Sequence, residues 1–483
     1  MQGQQNNLLV CMIVLFVIPP TMSHSERRII EFERGKFNDM IHRNKLQNMG
    51  YEFLFKIVDD FYVFATNKSW SAEEIESVKH ILDGKIKHIY QDSNIFSAAG
   101  IDVGATAGDE YDSPGTRRPT FCQCPPYFDL AQEVDRSWAE GYTGRHVVIA
   151  VTDVGVDIDS PNLRPNIASH LSFNFVDNNT NLRPEIFPDY PESLHLTNHG
   201  TACSGLIAGI KENDNCSLCG AGVAFNSKVA ALKIGQVKKF HWEYNPEISR
   251  GLYSAALGYK NQQIHIYSNS WTFDEPFKTL DPFTESAFAD GLEKLTVAHT
   301  NRGSASRKCD NKFGGSSAAT AVVSGMIALA LEANPSLSLR DIKHLLVESA
   351  GYIGLAATSN FTKNCAGKHF HKVHTPADTG YELDSTSNLT CQQQPFCIDK
   401  IEHIIVKLSF VYPKHTQTIL SLISPCGTES ILMEHAGEPP KDENDVGKTE
   451  GVSVHATFLS NHFWGEKMEG NWTVKIIGLG SYS

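Results

Sequence analysis

Long apolar runs, repeats and an excess of positive charge are all missing from this sequence. Beyond Ile18 no stretch approaches the roughly 20 apolar residues that a membrane helix needs, so we expect no transmembrane anchor. No internal repeat or low-complexity tract is present, which excludes a solenoid or a disordered repeat protein. The net charge is −13, which argues against a nucleic-acid partner and favours a cationic protein or peptide.

The first 25 residues have the pattern of a secretory signal peptide. An apolar run from Leu8 to Ile18 is followed by Pro19, Pro20 and small residues, and it is too short to span a bilayer. Removing residues 1–25 also removes Cys11 and leaves ten cysteines, an even number that suits an oxidising compartment. We expect the secretory pathway lumen, a secretory granule or the cell exterior.

Sequons for N-linked glycosylation are consistent with that route. Their asparagines are Asn67, Asn178, Asn215, Asn360, Asn388 and Asn471.

The chain is long enough for two or three domains, and its patterns change along its length. Residues 26–118 predict a small α+β unit followed by a linker that carries the basic pair Arg117 and Arg118. The elements predicted in the unit are helices at Phe37–Met49 and Glu73–Leu82 and strands at Tyr51–Val58 and Asp60–Thr66.

Residues 119–355 predict a larger α/β domain with a parallel sheet, because apolar strand candidates alternate there with helical stretches. The strand candidates are His146–Thr152, Lys228–Ile234 and Ile264–Asn269. Residues 360–483 predict an all-β domain, because short alternating stretches are bounded there by Pro, Gly and Asn. Its strand candidates are Ile401–Tyr412, Thr418–Ile423 and Trp472–Ile477.

Three motifs in the α/β segment carry groups suited to catalysis. Asp153 ends the first apolar strand, His199 stands in Asn-His-Gly-Thr, and Ser317 stands in Gly-Gly-Ser-Ser-Ala-Ala before the apolar helix Thr320–Leu331. Each motif alone has a structural interpretation: a turn-capping Asp, an ordinary His, a Ser at a helix start. The order Asp, His, Ser within one α/β domain is nevertheless the subtilisin order, so we predict a catalytic triad.

The residues around these motifs resemble the kexin/furin-like proprotein convertases, which are subtilisin-type serine proteases of the subtilase family. The likeness extends from Gly141-Tyr142-Thr143-Gly144 through Ile264-His265-Ile266-Tyr267-Ser268 to Ala328-Leu329-Ala330-Leu331-Glu332-Ala333-Asn334. It implies that Asp153 orients, His199 transfers protons and Ser317 attacks, because the family's Gly-Thr-Ser-Ala pattern maps Ser317 onto the nucleophile. It also implies that residues 26–118 are an inhibitory propeptide and residues 360–483 a P domain, a jelly-roll-like β-sandwich.

The resemblance further implies a substrate class and a cofactor. Asp274, Glu275 and Asp281 match acidic positions with which the family binds Arg or Lys side chains, so we expect cleavage of precursor proteins or peptide hormones after basic, often dibasic, sites. Calcium is expected as a cofactor, and the chain's own propeptide as an inhibitor. For the disulfides we predict Cys219 with Cys309 and Cys365 with either Cys391 or Cys397, although sequence alone does not determine the connectivity.

The chain departs from the family pattern at several positions. A helix is predicted to end near Leu295, and between that point and Cys309 the chain lacks a block that its relatives have. In relatives this block contains core strands and the Asn of the oxyanion hole; Asn301 is the candidate replacement for that Asn. Val154 and Leu196 stand where the family has acidic residues, and Asn162 stands where it has Asp. Two alternatives to an active endopeptidase therefore stay open: a catalytically impaired, protease-like binding protein, and an incomplete isoform of such an enzyme.

Overall fold

The computed structural model describes residues 26–96, 131–187, 194–211, 221–240, 243–271, 281–290, 295–298, 315–350, 361–371, 379–389, 398–413, 417–435 and 451–479. These residues fold as two compact units, and the division falls after Ala328. Of the described residues, those up to 271 and from 283 to 328 form the first unit, whereas 281, 282 and those from 329 onward form the second. No helix in the described ranges is long and apolar enough to span a membrane.

The helices are α1 (Asp39–Asn48), α2 (Ala72–Ile81), α3 (Ala131–Ala139), α4 (Leu194–Thr197), α5 (His199–Ala208), α6 (Arg250–Gly258), α7 (Pro282–Asp290), α8 (Gly315–Ala333) and α9 (Leu339–Ser349). The strands of the first unit are β1 (Glu26–Phe32), β2 (Tyr51–Lys56), β3 (Phe61–Thr66), β4 (Ile86–Gln91), β5 (Asn94–Phe96), β6 (Val148–Asp153), β7 (Phe173–Asn174), β8 (Lys228–Lys233), β9 (Gly235–Phe240), β10 (Glu243–Ser249), β11 (Ile266–Asn269) and β12 (Leu295–Ala298). Those of the second unit are β13 (Phe361–Lys363), β14 (His369–His371), β15 (Thr379–Leu389), β16 (Ile404–Pro413), β17 (Gln417–Ile423), β18 (Glu429–His435), β19 (Gly451–Ser460) and β20 (Gly470–Leu479).

The amino-terminal part of the first unit is an antiparallel sheet in the order β2-β3-β1-β4. The side chains of α1 and of this sheet share an apolar core that includes Phe32, Leu46 and Phe64. The predicted α+β architecture is confirmed, and α1, β2, β3 and α2 lie close to their predicted ranges. Strands β1 and β4 were not predicted, because their Arg, Lys and His residues interrupt the apolar alternation.

This antiparallel sheet is joined to the α/β part by β5, which pairs with β10 of the hairpin β9–β10. Beside it, Asp92 accepts a hydrogen bond from the N–H of Gly251 in the first turn of α6, at 2.9 Å, and another from the Ser249 hydroxyl. A carboxylate at a helix amino terminus is favoured by the helix dipole. Strand pairing and an anionic cap therefore act together at this contact.

The α/β part is built on a parallel sheet in the order β12-β11-β6-β8-β7. Its central strand β6 is buried over most of its length, as expected for a strand covered on both faces. The predicted parallel-sheet fold is confirmed, with β6, β8 and β11 within two residues of their predicted positions at each end. The prediction of a helix ending near Leu295 was wrong: α7 ends at Asp290, and Leu295 begins β12, which pairs with β11.

The second unit contains an antiparallel sheet in the order β15-β20-β17-β18 and a separate antiparallel pair, β16 with β19. Its core brings together Leu422, Phe463 and Trp472. The predicted all-β character is confirmed, and the three strand candidates correspond to β16, β17 and β20.

A disulfide joins Cys365 to Cys426 in this unit. The expected pairing of Cys365 with Cys391 or Cys397 was therefore wrong. Cys426 lies in the turn between β17 and β18. The backbone N–H of Cys365 also donates a hydrogen bond to Glu466, at 3.0 Å. The fold therefore brings Cys365 close to residues that are far from it along the chain. The expected Cys219–Cys309 bond lies outside the described residues, as do residues 1–25, Arg117 and Arg118.

Candidate active site

The predicted triad residues come from three separate elements of the first unit. Asp153 is the last residue of β6, His199 is the first residue of α5, and Ser317 is the third residue of α8. Parallel strands direct their carboxyl ends to one edge of the sheet, which is where α/β folds place ligands. The three side chains consequently converge although they are far apart along the chain.

Gly200 allows α5 to approach the end of β6. A Cβ atom at this position would lie 2.4 Å from the carbonyl oxygen of Gly155 and 2.7 Å from the Cβ of Asp153, both impossible contacts. Only glycine therefore lets the residue before it, His199, come within hydrogen-bond range of Asp153. The His-Gly pair in the sequence has a steric cause.

The three side chains form a continuous chain of hydrogen bonds. The Nδ1 atom of His199 lies 2.8 Å from Oδ2 of Asp153, and its Nε2 atom lies 3.0 Å from Oγ of Ser317. The other oxygen of Asp153 accepts the backbone N–H of Val154 at 2.8 Å, which fixes the carboxylate. This is the geometry that a nucleophile, a base and an orienting carboxylate require.

Electrostatics favour the charged form of His199 in this arrangement. Burial disfavours the imidazolium, but the charge of Asp153 and its hydrogen bond outweigh that effect and raise the pKa of His199. A base whose protonated form is stabilised by a fixed carboxylate is suited to accept a proton during a reaction.

Ser317 is 1% exposed, and its hydroxyl has a second partner that sequence reasoning missed. Its Oγ lies 3.2 Å from the carbonyl oxygen of Ser270, which directly follows β11. The Ser270 hydroxyl in turn donates to the Ser317 carbonyl at 3.3 Å. Since β11 pairs with β6, its end lies at the same sheet edge as Asp153, which is the signal that could have indicated this contact.

Comparison with known proteins identifies two domain families in the chain. Residues 144–290 and 288–373 match the subtilase family, and residues 401–481 match the proprotein convertase P-domain. The chain therefore contains a subtilase domain and a proprotein convertase P-domain.

Similar curated proteins include furin of Rattus norvegicus, 24% identical over 71% of this chain and 53% of furin. Another is proprotein convertase subtilisin/kexin type 4 of Mus musculus, 26% identical over 72% of this chain and 65% of that protein. The chain thus spans about half to two thirds of the length of these relatives. Among solved structures, fervidolysin of Fervidobacterium pennivorans aligns with a TM-score of 0.48 and 10% identity over 95% of this chain and 77% of fervidolysin.

Cys203 lies one turn after His199 in α5 and carries a free, buried thiol. Burial, together with the neighbouring charge of Asp153, raises the pKa of the thiol. The residue therefore stays a neutral thiol that packs behind the triad.

The acidic positions predicted to bind basic substrates are only partly described. Asp281 directly precedes α7 and is half-buried, whereas Asp274, Glu275 and the oxyanion candidate Asn301 lie outside the described residues. Val154 and Leu196, the two aliphatic departures from the family, lie together with Val237 in one buried apolar cluster. The side of the site next to Asp153 is therefore lined by aliphatic side chains at both positions.

Calcium is expected from the family resemblance, so we compared the possible cation ligands of the described residues with its preferences. In the described ranges, the side-chain groups close enough to share a cation are Asp153 with His199 and Cys203, and Cys365 with Cys426 and Glu466. Both contain sulfur, whereas calcium prefers oxygen ligands, so neither fits calcium.

One matching feature is Asn162, whose side-chain oxygen is buried and has no hydrogen-bond partner among the described residues. Such an oxygen suits one position in a calcium site.

Proposed function

We propose that this chain is a serine endopeptidase of the secretory pathway that cleaves precursor proteins or peptide hormones after basic residues. The observation that carries the proposal is the hydrogen-bonded chain from Asp153 through His199 to Ser317. The match of residues 144–373 to the subtilase family and the similarity to furin support the same activity.

In the proposed mechanism, His199 removes the proton from the Ser317 hydroxyl as its oxygen attacks the peptide carbonyl. Asp153 stabilises the imidazolium that results. The proton then passes from His199 to the leaving amine, the peptide C–N bond breaks, and an acyl ester remains on Ser317. Water, deprotonated by His199, hydrolyses this ester and restores the serine.

For the developing oxyanion we propose the backbone N–H of Ser317 as one donor. Ser317 lies in the first turn of α8, where backbone N–H groups lack an intrahelical partner and the helix dipole favours negative charge. A second donor would come from Asn301 in this proposal. Removing one such donor typically lowers kcat by about 10²–10³-fold.

For substrate selection we assign the basic residue at the cleavage site to Asp274, Glu275 and Asp281, by resemblance to the family. The aliphatic pair Val154 and Leu196 offers no counter-charge to a second basic residue upstream of it. We therefore expect a peptide with one basic residue at the cut to be cleaved about as well as a dibasic peptide.

We assign residues 26–118 as the inhibitory propeptide, 119–355 as the catalytic domain and 360–483 as the P domain. The contacts of β5 with β10 and of Asp92 with α6 support the first assignment, because they hold the amino-terminal sheet against the α/β part. The signal peptide at residues 1–25 directs the protein to the secretory lumen, a secretory granule or the exterior. Calcium is the proposed cofactor, with Asn162 among its ligands.

The proposal is tested by secreting the full chain and incubating it with fluorogenic peptides that end in Arg-Arg, Lys-Arg, Ala-Arg or Ala-Ala, with and without calcium. Ser317→Ala removes the proposed nucleophile, and the neighbouring Ser316→Ala is the matched control. We expect cleavage of the three Arg peptides, its loss in Ser317→Ala and its retention in Ser316→Ala.

Correctly folded protein that cleaves none of the peptides would reject the endopeptidase proposal and favour a protease-like binding protein. Equal cleavage of Ala-Ala and Ala-Arg would leave the peptidase in place and reject the basic specificity.

A further inference from the structure

Two Asn-X-Thr sequences of the second unit lie opposite each other across one pair of strands. Asn388 stands in β15 and Asn471 in β20, and the antiparallel register places them directly opposite one another. Two residues away, the same register pairs Thr386 with Thr473, the threonine of the second sequence. Sequence reasoning treated these asparagines as unrelated sites.

Both asparagines face solvent on the side of the sheet away from the core. Trp472 is turned into the apolar core with Phe463, so its neighbours Asn471 and Thr473 lie on the opposite face. Asn388 and Asn471 are exposed, and Thr386 and Thr473 share an exposed hydrogen bond of 2.9 Å between their hydroxyls. Directly opposed residues of antiparallel strands lie on one face, about 5 Å apart at Cβ.

We propose that Asn388 and Asn471 are both N-glycosylated and that their two glycans cover one patch on the outer face of β15 and β20. The donor is a lipid-linked oligosaccharyl diphosphate. The side-chain amide nitrogen bonds to C1 of the first sugar, the bond from C1 to the phosphate oxygen breaks, and the amide gives up one proton. The modification rests on the proposed secretory route.

The position on β15 gives the glycans a physical role. Strand β15 is at one end of the strand order of its sheet in the described ranges, and its residues 386–389 are exposed. An exposed edge strand is a template for pairing with another chain unless it is protected. Two bulky, hydrophilic groups beside this edge would block such pairing and keep the outer face free of protein contacts.

The direct test is peptide mapping of the full chain secreted from a glycosylating eukaryotic cell. Treatment with a peptide N-glycosidase in ¹⁸O-water converts each glycosylated asparagine to a heavy-labelled aspartate. We expect the label at both Asn388 and Asn471. Label at Asn67 or Asn178 with either paired site unlabelled would overturn this proposal alone; no label at any sequon would overturn it together with the secretory localisation.

Variants test the role of the patch. Asn388→Gln and Asn471→Gln should each lower the apparent mass of the secreted chain on a gel by one glycan, and the double variant should lower it by two. The double variant should also self-associate more strongly than Asn67→Gln with Asn178→Gln, the matched control. Equal self-association of the two double variants would reject the protective role. If a variant does not fold, the peptide map of the chain without substitutions still shows whether each asparagine is glycosylated.

Discussion

Two histidines of the first unit, one in each of its parts, show opposite shifts of the pKa. In the α/β part, Asp153 raises the pKa of His199 despite burial. In the amino-terminal sheet, burial lowers the pKa of His42, and Lys85 and Lys45 add to the effect while Asp83 opposes it. Burial alone therefore does not decide whether a histidine is charged; its neighbours do.

The groups around the two imidazole rings differ in kind. The Nδ1 atom of His42 accepts the backbone N–H of Asn38 at 2.8 Å, and its ring lies against Phe32, so the neutral form is part of the packing at the start of α1. His199 keeps 14% of its side chain exposed and has a carboxylate on one side and a hydroxyl on the other. The first histidine is part of the packing, and the second has the partners that proton transfer requires.

Replacing the Asp153 carboxylate, which is hydrogen-bonded to His199, should have the largest effect on activity. Asp153→Asn keeps the shape of the site but withdraws the charge that raises the pKa of His199, so we expect kcat to fall by about 10⁴-fold. The low-pH limb of the rate profile, which marks protonation of the base, should also move to lower pH. Rates measured from pH 5 to 9 check both effects, and an unchanged limb would show that Asp153 does not set the pKa.

Breaking the buried ion pair of the amino-terminal sheet should have the next largest effect. Arg28 is fully buried and pairs with Glu74, which also accepts a hydrogen bond from Tyr51. Among the described residues, Glu74→Ala leaves the arginine with the partly exposed Glu26 as its remaining ion-pair partner, so we expect a loss of about 3 kcal/mol in the stability of this sheet.

Hydrogen exchange of residues 26–96 within the full chain measures this loss. Glu73→Ala, on the exposed side of α2, is the matched control. Equal exchange in the two variants would contradict the importance of the pair.

The pH dependence should separate the two histidines. The unfolded chain binds a proton to His42 near the ordinary pKa of about 6.5, before the folded sheet does. The contribution of His42 is therefore fully present above about pH 6.5 and is lost as the pH falls toward its lowered folded-state pKa. The contribution of His199 has the opposite sign: it is present below about pH 6.5 and is lost as the pH rises through its raised pKa.

His42→Asn retains an acceptor for the Asn38 N–H but does not titrate. We expect hydrogen exchange of α1 to accelerate between pH 7 and pH 5 in the native chain, beyond the intrinsic change of exchange rate, and to do so less in the variant. Identical pH dependence in both proteins would show that another group destabilises the sheet in acid.

An exposed ion pair should matter least. Lys79 and Glu76 lie three residues apart on α2, 2.8 Å from nitrogen to oxygen, with both side chains more than a third exposed. We expect Glu76→Gln to change stability by no more than about 0.5 kcal/mol, because water and salt screen such pairs. A loss comparable to that of Glu74→Ala would remove the contrast between buried and exposed charges.

Local patterns were sufficient for much of the fold and for the triad. The apolar run before Asp153 and the small residues after His199 predicted β6 and α5, because continuous burial and helix packing leave direct marks in the sequence. Strands β1 and β4 escaped prediction because their charged residues find partners elsewhere in the fold, as Arg28 does in Glu74.

By itself the sequence determined the order Asp, His and Ser, the glycine beside the histidine, and the all-β pattern after residue 360. Only the tertiary structure decided which distant groups meet: Ser317 with the carbonyl of Ser270, Cys365 with Cys426, and Asn388 with Asn471. The reason is physical. Hydrophobic periodicity reports how one segment is buried, whereas register and sheet order, which bring segments together, depend on contacts between residues far apart along the chain.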